Sequence, residues 1–377
     1  MIISETYTRE TLADGIYSRY VDANGLHVHF LEAGCTQPDT PCILLLHGFP
    51  ELAYSWRKNM LPFAERGYRV IAPDLRGFGQ TTGWATGYDI DLTSFGNLNL
   101  VMDMISLLSV LNVSEVQMVA SHDSGVQVAS LAALIRPDIF KSAVFMGAPF
   151  MGISPRTMGK DIIPTPLESL PVFHELKALT RPRKHYQQYY ASRETAAEMD
   201  CPPQGMHEFL KGYFYSKSAD WSGNHPEPLK NWSAEEFAKM PTYYIMDRDK
   251  TMPETVMPYS EDLADRMLPW LTDSELDVYA KEYERTGFQG GLNWYRTGIG
   301  GENARQARLF AGRTIDVPVW FIAGTGDWCP YQIPGFLEKQ ENNCSDFRGC
   351  FFVPGAGHWV QQEQPEQVNK LLLSFLQ

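Results

Sequence analysis

The segment SHDSG, which begins at Ser121, places three side chains that could do chemistry next to one another: His122, Asp123 and Ser124. It follows the apolar run VQMVA and precedes a run of small residues, which predicts a sharp turn between a strand and a helix. Such a turn needs small residues two positions before and two positions after the reactive residue. Centring the turn on Asp123 places Ser121 and Gly125 at those positions.

The two serines of the segment fit this turn less well. Centring it on Ser124 would place His122 and Val126 at the crowded positions, and centring it on Ser121 would place Val119 and Asp123 there. Asp123 is therefore the predicted nucleophile. The alternative, in which Asp123 has only a structural role, is a strand-to-helix loop with an aspartate at the helix N-cap.

Further along the chain, an acid and a histidine each follow a predicted strand. Asp327 lies in AGTGDWCP and His358 in VPGAGHW, and their separation of 358 − 327 = 31 residues corresponds to one strand–helix unit. The chain order of nucleophile, acid and histidine is typical of an α/β-hydrolase. Phe49, in LLLHGFP, and Ser124 are the positions whose backbone N–H groups are predicted to form an oxyanion hole. A sharp loop here favours a cis peptide before Pro50.

The elements around these residues follow a β–α rhythm. Asn24-Gly25 lies between two alternating runs and predicts a two-residue hairpin. Short continuously apolar runs then indicate strands of a mostly parallel sheet covered on both faces, with helical patterns between them. These runs are CILLLHG, YRVIAPD, EVQMVA, SAVFMGAP, VPVWFIAG and CFFVPGAG.

The rhythm stops near residue 150 and resumes after residue 300. The intervening stretch is helical in pattern, shows no convincing strand, and holds 11 of the 18 tyrosines, so phenol donors are concentrated there. PTYYIM is its nearest approach to a strand. We therefore predict a doubly wound core of residues 1–150 and 301–377, interrupted by a helical lid of residues 151–300.

Composition excludes several classes of function. The formal net charge is −13, which disfavours binding to nucleic acid. No apolar stretch is long enough to cross a bilayer, and the first residues do not resemble a secretory signal, so we expect a cytoplasmic protein. The six cysteines show no metal-binding spacing, and Cys344 and Cys350 are expected to be reduced thiols.

Four motifs resemble those of soluble epoxide hydrolases within the α/β-hydrolase superfamily. HGFP matches that family's HGxP loop, DLRGFGQT its DxRGxGxS-like segment, SHDSG its GHDxG elbow, and GHW its histidine motif. The chain departs from the pattern at Ser121, where glycine is usual, and at Ser124, where tryptophan is common. The second departure predicts a different pocket shape beside the nucleophile.

Two further segments resemble the parts of the family lid that carry oxirane-binding tyrosines. GGLNWYR maps one of them onto Tyr295, and YQQYYASRETAAE maps the other best onto Tyr189. Tyr186, Tyr190, Tyr213 and Tyr215 remain alternatives for the second position.

The resemblance implies that Asp123 opens a small apolar epoxide and forms an ester. His358, oriented by Asp327, would then activate water to cleave that ester, and no metal or organic cofactor is needed. His122 and His47 are expected to have structural roles. The aromatic candidates for a substrate site, each explained equally well by core packing, are Phe49, Trp56, Phe150 and Trp359.

Three questions stay open at this stage. A haloalkane or haloacid dehalogenase would use the same aspartate, although Ser124 and the tyrosine motifs favour an epoxide. A non-catalytic ligand-binding protein can share the fold. A homodimer is compatible with the sequence, which does not determine the oligomeric state.

Overall fold

A computed structural model describes residue 7 and residues 11–37, 39–153, 170–263, 266 and 268–377. The described residues form ten strands. In chain order these are β1 (Ile16–Ala23), β2 (Leu26–Ala33), β3 (Cys42–Leu46), β4 (Arg69–Pro73), β5 (Val116–His122), β6 (Ala143–Met146), β7 (Arg183–His185), β8 (Ile245–Asp247), β9 (Val319–Gly324) and β10 (Phe347–Val353).

The α-helices of the same residues alternate with the core strands or follow β6. The first seven are α1 (Met60–Ala64), α2 (Asn97–Val110), α3 (Gly125–Ile135), α4 (Pro171–Ala178), α5 (Tyr186–Tyr190), α6 (Thr195–Asp200) and α7 (Met206–Lys217). The others are α8 (Ala234–Phe237), α9 (Met252–Leu263), α10 (Asp273–Thr286), α11 (Gln289–Ile299), α12 (Glu302–Ala307), α13 (Phe336–Asn342), α14 (Val360–Glu363) and α15 (Pro365–Phe375).

Eight strands form one sheet in the order β1-β2-β4-β3-β5-β6-β9-β10. The pairs β1–β2 and β2–β4 are antiparallel, and every other neighbouring pair is parallel. The predicted hairpin is confirmed, because Asn24 and Gly25 join β1 to β2 with φ angles of 47° and 73°. Both central residues of such a turn need positive φ, which asparagine and glycine tolerate best.

The central strands are buried along their whole length. Every residue of β3, β4 and β6 is buried, although successive side chains point to opposite faces of the sheet. Both faces are therefore covered, which confirms the prediction from the continuous apolar runs. The ends of these parallel strands bring the loops that follow β3, β5, β9 and β10 to one edge, where ligands bind in open α/β sheets.

Between β6 and β9 the described chain forms helices α4 to α12 and the antiparallel pair β7–β8. The prediction that residues 151–300 contain no strand is therefore wrong, and part of PTYYIM belongs to β8. Each of these strands has only three residues, too few to show a periodic pattern. Residues 154–169 of the predicted lid lie outside the described residues, and the domain boundaries stay predictions.

Candidate active site

Asp123 occupies the turn between β5 and α3, as the spacing predicts. Its φ of 49° lies in the left-handed region, which a residue other than glycine adopts only in a strained turn. A Cβ atom on Gly125 would lie 2.5 Å from the backbone oxygen of His47, and Ser121 is fully buried. The crowding on both sides of Asp123 is the reason that only small residues fit there.

The loop after β3 approaches the same carboxylate. The Phe49 N–H donates to Asp123 Oδ1 at 3.0 Å, and the peptide between Phe49 and Pro50 is cis, as expected. A Cβ atom on Gly48 would lie 2.4 Å from the Cβ of Asp123, so this glycine permits the close approach. Ser124 follows the carboxylate as the N-cap residue of α3, where the positive end of the helix dipole faces negative charge.

Asp327 and His358 complete a buried triad with Asp123. His358 Nδ1 lies 3.1 and 3.2 Å from the two Asp327 oxygens, and its Nε2 lies 3.5 Å from Asp123 Oδ2. At 3.5 Å the second contact is an attraction between charges rather than a well-formed hydrogen bond. Nε2 has no hydrogen-bond partner among the described residues, so it is available to a water molecule.

The charges of the triad shift its proton equilibria. Burial alone would lower the pKa of His358, but Asp327 and Asp123 outweigh it and raise that pKa to about 9. Burial alone would raise the pKa of Asp123, but its interactions with His358 hold that pKa below its usual range. At neutral pH the pair is therefore an imidazolium beside an ionised carboxylate.

His122 supports the triad through two buried hydrogen-bond contacts. Its Nδ1 lies 2.6 Å from Glu51 Oε2, and its Nε2 lies 2.8 Å from the backbone oxygen of His358. Glu51 also accepts hydrogen bonds from the Gly48 N–H and from the side chains of Gln361 and Gln362. This buried network joins the loops after β3, β5 and β10.

His122 thus has the structural role expected of it. Sequence reasoning missed Glu51, although its position directly after the HGFP motif is a usable signal. His47 also behaves as expected: its Nδ1 lies 2.8 Å from the Gly48 oxygen, and its Nε2 accepts from the Leu75 N–H at 3.0 Å. Both contacts brace the loop after β3.

The charge of Asp123 acts on the phenols of two tyrosines, the predicted Tyr295 and Tyr186, which is one of the alternatives for the second position. Tyr295 on α11 packs edge-to-face on Phe49 at 5.4 Å, and its ring lies 6.0 Å from that of Tyr186 on α5. Burial raises the pKa of both phenols well above the usual value, and negative charge that includes Asp123 adds to the effect. Both therefore stay protonated and can donate a hydrogen bond.

Tyr189, the residue predicted for the second position, has different surroundings. Tyr189 lies three residues after Tyr186 on the short helix α5. The Lys184 ammonium lies over the Tyr189 ring, 4.7 Å from its centre. Burial is the main cause that raises the pKa of the Tyr189 phenol, and Glu198 and Glu254 add to the effect.

The other tyrosines near this position also differ from Tyr186. Tyr190 packs on Tyr295 at 4.9 Å, but its hydroxyl donates to Tyr213. Tyr215 donates to Asp262. A cavity of about 120 Å³ lies beside Ser124 and Tyr295, between α3 and α11.

The four aromatic candidates separate into two pairs. Phe49 lies against Tyr295, and the Trp359 ring packs 4.7 Å from that of His358 while its Nε1 donates to the Phe214 oxygen. Trp56 is fully buried, and Phe150 is tied through its N–H to Gln340 on α13. Among the described residues, no ring contact joins either of this second pair to the triad or to Tyr186 and Tyr295.

The described residues hold no cluster of three or more histidine, cysteine, aspartate or glutamate side chains suited to a metal ion. None of the helices in the described ranges is both long and apolar enough to cross a membrane. All six cysteines are free thiols.

The fold and this triad are those of an α/β-hydrolase, and the chain belongs to that family. The model of the alpha/beta hydrolase fold family matches residues 41–365. Within the family the chain resembles epoxide hydrolases. It is 31% identical to epoxide hydrolase A of Mycobacterium tuberculosis over 361 residues, which cover 95% of this chain and 96% of the relative.

Solved structures give the same result. An epoxide hydrolase from an endophytic Streptomyces superposes with a TM-score of 0.76 at 25% identity and covers 96% of both chains. Epoxide hydrolase I of potato (Solanum tuberosum) superposes with a TM-score of 0.69 at 31% identity, covering 96% of this chain and 99% of the other.

Proposed function

We propose that this chain is an epoxide hydrolase that opens its substrate through a covalent ester on Asp123. The observation that carries the proposal is the carboxylate at a strained turn, with the Phe49 N–H at 3.0 Å and His358 Nε2 at 3.5 Å. The relatives that this chain matches over almost their whole length are named epoxide hydrolases, which supports the same substrate class.

Ring opening needs a nucleophile and an acid on opposite sides of the epoxide. An ionised Asp123 attacks one ring carbon, the bond from that carbon to oxygen breaks, and the oxygen leaves as an alkoxide. Tyr295 and Tyr186 are protonated, and the charge of Asp123 adds to the rise in the pKa of both phenols, so we assign them as the donors to that oxygen. The product of this step is a hydroxyalkyl ester of Asp123.

Ester hydrolysis uses the other half of the site. The His358 imidazolium first returns its proton to the phenolate that ring opening leaves; the neutral imidazole then takes a proton from water, and the resulting hydroxide attacks the carbonyl carbon of Asp123. The backbone N–H groups of Phe49 and Ser124 stabilise the oxyanion, and Asp327 keeps the imidazole oriented through Nδ1. Collapse of the tetrahedral intermediate releases a vicinal diol.

The residues around the site favour an epoxide over a halide. A halide leaving group would be bound by indole or amide N–H donors. The indole N–H of Trp359 donates to the Phe214 oxygen, and that of Trp294 donates to the Arg76 oxygen. Chloride release from haloalkanes, followed with an ion-selective electrode, would support the dehalogenase instead.

The proposal is tested by one turnover in water enriched in ¹⁸O, with enzyme in excess over a panel of aryl and alkyl epoxides. Because the oxygen added in the first turnover comes from Asp123, the heavy isotope should appear in the peptide that contains Asp123 and be absent from the diol. Label in the diol with an unlabelled peptide would show direct attack by water. The lid of residues 151–300, a cytoplasmic location and a homodimer stay predictions.

A further inference from the structure

Lys217, the last residue of α7, has a buried side chain with 4% exposure. Among the described residues its ammonium has no hydrogen-bond acceptor and no carboxylate partner. It faces an aromatic cage instead. The cage consists of Tyr244, Tyr213, Tyr186, Tyr243 and Trp359, whose ring centres lie 4.6, 4.8, 5.6, 5.7 and 6.0 Å from Nζ.

Such a cage can hold a cation without neutralising it. The faces of aromatic rings attract an ammonium through their quadrupoles, but they carry no net charge. A carboxylate at the same place would cancel the field of the lysine. The positive charge of Lys217 is therefore not cancelled within the cage and acts on the ionisable groups outside it.

The groups nearby belong to the proposed machinery. The backbone oxygen of Lys217 accepts from the His358 N–H at 2.8 Å. The Trp359 wall of the cage packs 4.7 Å from the His358 ring, and the Tyr186 wall lies 6.0 Å from Tyr295. Walls of the cage therefore adjoin both the catalytic histidine and Tyr295.

We infer that Lys217 is a positioning residue for the second half of the reaction: its uncompensated charge drives the His358 imidazolium to release its proton once Asp123 has become an ester. The inference rests on the proposed function.

The charges before and after ring opening explain the effect. In the resting site the carboxylates of Asp123 and Asp327 flank the His358 imidazolium, and Lys217 adds a positive charge that has no carboxylate partner of its own among the described residues. Ring opening consumes the charge of Asp123 and forms one carbon–oxygen bond as another breaks. The new alkoxide takes a proton from a lid phenol, and the imidazolium returns a proton to that phenolate. His358 is then neutral and can act as a base.

The electrostatics agree with this geometry. Burial and the two carboxylates dominate the pKa of His358, and Lys217 lowers it. Lys217 also lowers the pKa of Asp123. The other titratable groups around the cage and the histidine include the Cys329 thiol, the four cage phenols, the buried His122–Glu51 pair, and the Glu363 carboxyl, which accepts from the Gly357 and Trp359 N–H groups.

The test is Lys217→Met, which keeps most of the side-chain length and removes the charge. Rapid-quench kinetics would give the ring-opening rate and the ester-hydrolysis rate separately across about pH 5 to about pH 10. Without the cation, His358 holds its proton more tightly. The acid limb of the hydrolysis rate should therefore move up by about one pH unit, with roughly tenfold slower hydrolysis on that limb. On the alkaline plateau the rate should stay within about twofold.

The matched control is Lys211→Met, which removes another buried lysine of α7, one that lies 3.9 Å from Glu208. Its hydrolysis profile should coincide with that of the parent. Lys217→Gln is the second variant if the methionine substitution prevents folding.

Three results would overturn the inference. The first is an acid limb that stays in place in a folded Lys217 variant. The second is a hydrolysis rate that falls equally at every pH. The third is a variant that loses only affinity for epoxides that carry a carboxylate. The last result would make Lys217 a substrate anchor. Failure of the proposed function is distinguishable, because the Asp123 peptide would then carry no ¹⁸O whatever the pH profile.

Discussion

Replacing Tyr186 by phenylalanine removes the hydroxyl group of one of the two phenols that we assign to the leaving oxygen. The aromatic ring at position 186 stays in place. The substitution removes a donor to the developing alkoxide. Losing one such donor costs about 10²–10³-fold in rate, or about 2.7–4 kcal/mol. Because Tyr295 still donates, we expect the lower end of that range, about a 10²-fold slower ring opening.

Tyr189→Phe is the matched control, since it makes the same change three residues away on the same helix. Burial raises the pKa of its phenol, and Glu198 and Glu254 add to the effect. We therefore expect its ring-opening rate to remain within about twofold of the parent.

The assay is a single turnover with enzyme in excess, quenched at millisecond intervals, in which loss of epoxide reports ring opening. Thermal denaturation of both variants checks that the fold is retained. If ring opening is slow in Tyr189→Phe and as fast as the parent in Tyr186→Phe, the placement of α5 is refuted. Full activity in Tyr186→Phe, Tyr295→Phe and the double variant would refute phenol assistance altogether.

Three other substitutions test the turn and the triad. Gly125→Ala should lower the free energy of unfolding by about 1–3 kcal/mol in urea denaturation, because its Cβ would meet two backbone oxygens. Gly298→Ala is its control: no atom lies within 4 Å of its added Cβ, so no loss of stability is expected. Asp327→Asn should slow ester hydrolysis about 10²–10⁴-fold, more than it slows ring opening, and equal slowing of the two steps in rapid-quench kinetics would contradict the orienting role. Gly48→Ala should abolish diol formation, measured by chromatography, because its Cβ would overlap Asp123; an active variant would show that this approach is not needed.

The parts of the site that the sequence predicts are those fixed by local geometry. A turn as tight as the one at Asp123 restricts its own neighbours, so Ser121 and Gly125 identify its centre. Asp327 and His358 each follow a parallel strand, and the ends of such strands meet at one edge of the sheet. The continuous apolar runs likewise predict the strands and the burial of the central ones, whereas the edge strand β10 is buried only at its last residue.

The parts that the sequence does not predict depend on contacts between distant segments. α5 has five residues, and Tyr186, Tyr189 and Tyr190 share one buried face of it, so the helical pattern does not distinguish them. β7 and β8 are too short to show a period. The cage around Lys217 gathers rings from α5, α7, the segment before β8 and the loop after β10, and no local pattern marks such a convergence.

The most direct measurement of the central claim is the mass of the peptide that contains Asp123 after a His358→Gln variant has reacted with epoxide. Removing the base should leave ring opening measurable and stop ester hydrolysis. The account predicts a stable increase in the mass of that peptide equal to the mass of the epoxide, with fragment ions that place the adduct on Asp123. An unmodified Asp123 peptide in a variant that still consumes epoxide would contradict it.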